Sequence, residues 1–150
     1  MSRRVVKLII RIAFIIRLMN ENIFSQSAWL DLSDDAQWLS IPEVADSLGV
    51  RQRDVRTMLA KHELVALHRG ENGALAVHRS QLVFTADSAK ATVLASLKGT
   101  FTALDDAGFS DEEKLAWITA SNPELGCAPV EALRNGRIHS VRRAIITAGI

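Results

Sequence analysis

The chain has 150 residues, 48% of them hydrophobic and 23% charged, with a formal net charge of +1. That composition excludes a disordered protein, and the near-neutral balance excludes partner choice by bulk charge. A lone cysteine, Cys127, excludes an intramolecular disulfide and points to a reducing, cytoplasmic compartment.

Charge is nevertheless uneven along the chain. Residues 51–79 carry six Lys/Arg against three Asp/Glu, whereas "DLSDD" (31–35) and "DDAGFSDEE" (105–113) are acidic. A basic surface inside a neutral chain is the usual footprint of a modest nucleic-acid binder. The pattern divides into an N-terminal arm (1–36), a small α/β unit (37–84) and a helical unit (85–150).

The arm opens with "MSRRVVKLIIRIAFIIRLM", an apolar stretch interrupted by Lys7, Arg11 and Arg17. Its longest uncharged run, Ile12–Ile16, is far too short to span a bilayer, and no small-residue cleavage site follows. Arg4, Lys7 and Arg11 share one helical face, so a basic interfacial helix is one reading. The other reading, which the broken pattern favours over a membrane role, is a flexible arm or an upstream extension with Met19 as the true start. The polar residues 31–36 read as a linker.

In the second unit Ser40 and Glu43 form an S-x-x-E capping box, with Pro42 in the first turn, where a missing N–H does no harm. Ile41, Val44, Ala45 and Leu48 give an apolar stripe, and Gly49 ends the helix in the left-handed conformation that side chains disfavour. A second helix is predicted from about Arg51 to Lys61, burying Val55, Met58 and Leu59. Counting from Ile41, a small residue falls at position five (Ala45) and glycine at nine (Gly49). Apolar residues fall at four, eight, ten, fifteen and eighteen (Val44, Leu48, Val50, Val55, Met58). That is the helix-turn-helix pattern: Ala45 permits a close crossing, Gly49 makes the turn, and the apolar set fills the shared core.

Two apolar runs flanking Gly70–Gly73, with the turn signal Asn72-Gly73, predict a hairpin. Period two puts Val65, Leu67, Arg69, Ala74, Ala76 and His78 on one face and Leu64, Ala66, His68, Leu75, Val77 and Arg79 on the other. Following a helix-turn-helix, this hairpin reads as a wing, a bare structural hairpin being the alternative.

The third unit predicts four or five helices: about 88–98, 100–107 with Gly108 as a stop, and one to about Ala120 opened by the Ser110/Glu113 capping box. That helix buries Leu115, Trp117 and Ile118. Asn122-Pro123 turns the chain, Pro129 starts a short helix (129–134), Asn135-Gly136 turns again, and 137–148 closes the unit. The fold class is therefore mainly α with a small β-hairpin, a winged helix-turn-helix followed by a C-terminal helical bundle.

In a helix-turn-helix the second helix enters the major groove with its N-terminal residues against the bases. Here those are Arg51, Gln52, Arg53, Arg56 and Thr57, with Lys61 placed for backbone contact and Arg69 and Arg79 on the wing. Arginine pairs bidentately with guanine and glutamine with adenine. His62, His68, His78 and His139 lack ligand spacing, so no metal is expected, and no P-loop, G-x-S-x-G or dinucleotide fingerprint appears. Asp105/Asp106 and Asp111/Glu112/Glu113 sit near helix ends, where the second group suits a helix N-terminus. Neither an enzyme nor a cofactor is expected.

The strings "IPEVADSLGV", "VHRSQLVF", "LKGTFTALDDAGFSDEEKLAWI" and "APVEALRNGRIHSVRRA" cover most of 38–146. In them the chain resembles a family of actinobacterial winged helix-turn-helix DNA-binding proteins that includes a mycobacterial Ser/Thr protein kinase substrate. The resemblance implies double-stranded DNA as partner, transcription regulation, and the helix at 51–61 as reader; a single small reader implies a homodimer on paired half-sites. It also raises a Ser/Thr kinase as a partner. However, no threonine precedes Thr57, so a leader phosphothreonine does not carry over, and Ser25, Ser27 and Ser33 remain as acceptors to consider. The C-terminal unit looks like an antitoxin toxin-binding domain at Trp117, Asn122-Pro123, Leu125-Gly126, Pro129, Glu131, Leu133 and Gly136. That likeness implies a protein-interaction adaptor whose main partner binds 85–150, as the alternative function.

Overall fold

A computed structural model describes residues 30–148 of the protein; the apolar stretch 1–19 and the readings made of it lie outside these residues. The described chain opens on Leu30, which is buried in the core, and the Trp38 indole N–H donates to the Leu32 carbonyl at 2.9 Å. A single 3-10 turn at Asp35–Gln37 follows, its Asp34 carboxylate accepting from the Ala36 N–H. Residues 31–36 are thus docked on the domain and are not a linker: Leu30 and Trp38 hold both ends of a stretch whose polarity suggests solvent.

β1 (Trp38–Ser40) runs into α1 (Ile41–Leu48), and the reciprocal cap between Ser40 and Glu43 is present at 2.7 and 3.3 Å. Gly49 adopts φ 69°, and two bonds close the helix end, Gly49 N–H to the Asp46 carbonyl and Val50 N–H to the Ala45 carbonyl. α2 (Gln52–Ala60) follows with Arg51 at its N-cap. Val44, Ala45 and Val55 are buried, while Leu48, Val50 and Met58 pack partly buried against the same core, so the counted positions form the interior of a helix-turn-helix.

β2 (Ala66–Arg69) and β3 (Ala74–His78) form the hairpin, and β1 pairs on the other side of β3, giving the antiparallel order β1-β3-β2. The register pairs Ala66 with Val77, Leu67 with Ala76, His68 with Leu75 and Arg69 with Ala74, preserving the predicted division into faces. The connection is a four-residue turn with Gly70 and Gly73 at positive φ, and the His68 imidazole Nδ1 donates to the Gly73 carbonyl at 2.7 Å.

Residues 88–98 do not form the predicted helix. β5 (Thr92–Val93) pairs antiparallel with β4 (Leu82–Val83), and the first helix of the third unit is α3 (Leu97–Asp106). Thr92 and Val93 are β-branched residues stiff at χ1, and a strand partner ten residues upstream overrides their apolar spacing. α4 (Asp111–Thr119), α5 (Pro129–Arg134) and α6 (Ile138–Ala148) complete the described chain. Trp117, Phe101, Leu97, Leu104 and Leu115 are among its largest buried apolar side chains. The Lys114 ammonium is buried with its side chain 1% exposed, and it stands 3.0 Å from Asp105 and 3.2 Å from Asp111. It thereby clasps the C-terminal turn of α3 to the first turn of α4, and its proximity lowers the Asp105 pKa.

Candidate nucleic-acid interface

The apolar residues of α2 decide which side of the helix faces outward. Val55 is fully buried and Met58 and Leu59 lean on the core, so Gln52, Arg53, Arg56 and Thr57 are left exposed. Arg53 and Arg56, three apart, lie on neighbouring positions of one face. Neither they nor Lys61, exposed at the C-cap, make an ion pair among the described residues. The Thr57 hydroxyl donates to the Arg53 carbonyl at 3.0 Å.

Arg51 differs from its neighbours. Its Nε and Nη2 reach the two Asp54 oxygens at 2.9 and 3.2 Å, and Asp54 also accepts the Arg51 main-chain N–H at 3.1 Å. These bonds from Arg51 hold the Asp54 carboxyl below the usual carboxylate range. Arg51 is at the helix tip as predicted, but its charge is locally balanced.

The wing arginines are not brought to this tip as free cations. Arg69 Nη2 stands 2.7 Å from Asp35, and its guanidinium lies 4.3 Å above the Trp38 ring. It fastens the segment before β1 across the sheet. Arg79 follows His78 at the base of the wing, beyond the pair His78–Trp38 and at the opposite end of β3 from the turn. Its guanidinium sits 4.5 Å from the Phe84 ring, beside an open cleft of about 430 Å³ that is also lined by Gln37, Leu82 and Arg134. The exposed turn itself carries Glu71 and Asn72 between its glycines.

Sequence reasoning missed two side chains that shape this surface. Gln81 is fully buried and imitates a strand: its Oε1 accepts the Val65 N–H and its Nε2 donates to the Val65 carbonyl, both at 2.8 Å. It fixes the start of the wing relative to α2. Lys90 lies against Gly49 in the helix-turn-helix turn although it follows 41 positions later. No local pattern signals either contact. Among the described residues no group of three or more His, Cys, Asp or Glu side chains could hold a metal ion. No described helix is long and apolar enough to cross a membrane.

Two family profiles match the chain. Residues 30–77 match the winged helix-turn-helix domain of DNA-binding protein Rv2175c, and residues 94–147 match the Rv2175c C-terminal domain, whose function is unknown. DNA-binding protein Rv2175c of Mycobacterium tuberculosis is 33% identical over 94 residues, which make up 63% of this chain and 60% of that protein. The NMR structure of Rv2175c matches with a TM-score of 0.62 at 30% identity, covering 79% of this chain and 86% of that one.

Proposed function

The chain belongs to the Rv2175c family of winged helix-turn-helix proteins, and from that premise we propose that it binds duplex DNA as a transcriptional regulator. The observation that carries this reading is the outward face of α2. The buried Val55 side fixes the helix's orientation, and Arg53 and Arg56 project from the opposite side without protein counter-charges among the described residues. Such a face supplies phosphate neutralisation along the groove and bidentate contacts to guanine, with Gln52 suited to adenine. Arg51, Thr57 and Lys61 border it, while Arg69 and Arg79 have structural partners and rank below them.

The helical unit is the assembly module in this reading. α6 leaves Ile146 69% exposed beside Arg142 and Arg143, a surface suited to a second copy on paired half-sites. A separate protein partner on that unit, as an antitoxin-like adaptor would have, is the competing reading; stoichiometric co-purification of another protein would favour it. A chromosomal DNA partner and the unpaired Cys127 are consistent with a cytoplasmic protein.

The test is a titration of a labelled duplex across a salt series. DNA binding predicts a linear fall of log affinity with log salt. Arg53→Ala/Arg56→Ala should show a slope shallower by about 0.9 for each phosphate it no longer neutralises. Unchanged affinity and slope in that double variant would reject the reading.

A further inference from the structure

We infer that Lys90 is a phosphate-contacting residue of the DNA interface, delivered to the helix-turn-helix turn by the segment that joins the wing to the helical unit. The inference rests on the DNA-binding reading above and adds to it a residue outside both matched regions, 30–77 and 94–147.

The placement of Lys90 is built. β4 and β5 pair Leu82 with Val93 and Val83 with Thr92, and the Leu94 N–H donates to the Gln81 carbonyl at 2.9 Å, so both ends of the connecting loop are held. At its far side the Ala91 N–H donates to the Ser47 carbonyl of α1 at 2.7 Å, pinning the loop to the helix-turn-helix. The Lys90 N–H is itself bonded to the Ser88 hydroxyl. The Lys90 side chain then lies across Gly49: a Cβ at that position would stand 2.7 Å from Lys90 Cε, 2.8 Å from Cδ and 3.1 Å from Nζ. The missing side chain of the turn glycine is the space that the lysine stem occupies.

Charge gives this placement its consequence. Gly49 is two residues before Arg51, the N-cap of α2, so the Lys90 ammonium sits beside the end of the reader that enters the groove. Arg51, at the same end, is balanced by Asp54. Lys90 is exposed and makes no ion pair among the described residues. An uncompensated cation on a pinned stem, next to a helix N-terminus, is suited to a backbone phosphate flanking the groove. The chain therefore completes its reader from a sequence-distant loop.

The experiment compares the full chain with Lys90→Met and Lys90→Arg by fluorescence anisotropy on a labelled random-sequence DNA duplex over a salt series. Lys90→Met keeps an unbranched stem over Gly49 and removes the charge. It is expected to bind about 3–10-fold more weakly at low salt, with a log–log salt slope shallower by about 0.9. Lys90→Arg is expected to stay near wild type, and the melting temperatures of all three to coincide. Wild-type affinity and slope in Lys90→Met, alongside weakened binding in Arg53→Ala/Arg56→Ala, would overturn this inference and leave the DNA reading standing. No salt-dependent binding by the wild-type chain would overturn both.

Discussion

Arg51 and Asp54 form a two-pronged ion pair across the first turn of α2, with Nε–Oδ2 at 2.9 Å and Nη2–Oδ1 at 3.2 Å. The same carboxylate accepts the Arg51 main-chain N–H, so Asp54 both caps the helix and neutralises the arginine at its N-cap. Asp54 is the acid of this helix's first turn. Asp54→Asn keeps a side-chain oxygen for the cap and releases the guanidinium. We predict several-fold tighter binding of duplex DNA at low salt, with a log–log slope steeper by about 0.9 as one more phosphate is neutralised. Salt-titrated anisotropy measures both quantities. Weaker binding in the variant would instead mean that Asp54 holds Arg51 in its productive orientation.

The two helices of the motif end alike but with different residues. Gly49 closes α1 at φ 69°; His62 closes α2 at φ 59°, with His62 N–H on the Leu59 carbonyl and Glu63 N–H on the Met58 carbonyl. A side chain in the left-handed region costs roughly 1 kcal/mol, and glycine avoids it. Gly49→Ala should therefore destabilise the fold by about 1–2 kcal/mol, since its Cβ must also displace the Lys90 stem. His62→Gly, at an exposed position, should stabilise it by about 0.5–1 kcal/mol. Urea unfolding of the pair gives opposite displacements of the midpoint from wild type if the backbone term governs both sites.

Local spacing encodes part of this molecule and leaves the rest to tertiary pairing. The helix-turn-helix, both serine capping boxes and the face division of the hairpin depend on residues within a few positions of one another, and each is readable from the sequence. Segment 88–98 is not, because its apolar spacing suits a helix while the pairing of Thr92–Val93 with Leu82–Val83 is a tertiary choice. The balance of charge at the site is equally hidden. A row of arginines cannot tell that Asp35 takes Arg69, that Phe84 lies under Arg79, or that Lys90 arrives at Gly49. Gln81, a polar residue in the core, is explicable only once Val65 is seen to need both its main-chain partners.

A buried histidine gives the fold a specific response to acid. His78 is fully buried at the wing base, its ring T-shaped to Trp38 at 5.1 Å, with the Ser80 hydroxyl 2.8 Å from Nδ1. Burial is the main cause that lowers its pKa from 6.5 to about 4, the main chain of Asp31 opposing it in part. The folded state thus holds the neutral ring, and the unfolded chain binds the proton more readily. Stability from this group is complete above pH 6.5, declines as pH falls toward about 4, and levels off below that. The full decline is on the order of 3 kcal/mol. His78→Phe keeps an aromatic ring against Trp38 and should flatten the stability–pH curve over that interval, as read from urea midpoints at successive pH values. A curve as steep as wild type would assign the acid response to the carboxylates instead.

Arg134 is the point at which the helical unit grips the wing. From the last turn of α5 its Nη2 donates to the Leu82 carbonyl at 2.6 Å and to the Ser80 carbonyl at 3.1 Å, bridging more than fifty positions of chain. Those two carbonyls flank Gln81, which in turn holds Val65 after the exit from α2, so the helical unit is connected to the helix-turn-helix through two side chains. Charged hydrogen bonds at a partly exposed site imply a destabilisation of about 1–2 kcal/mol for Arg134→Ala, with Arg134→Lys recovering part of it because an ammonium lacks the planar fork. The coupling has its own signature. Arg134→Ala should accelerate proteolytic cleavage in the exposed 84–90 loop more than it shifts the global unfolding midpoint, because local opening there no longer has to break the hold of α5. Equal changes in cleavage rate and global stability would show that the two units separate only when the whole domain unfolds.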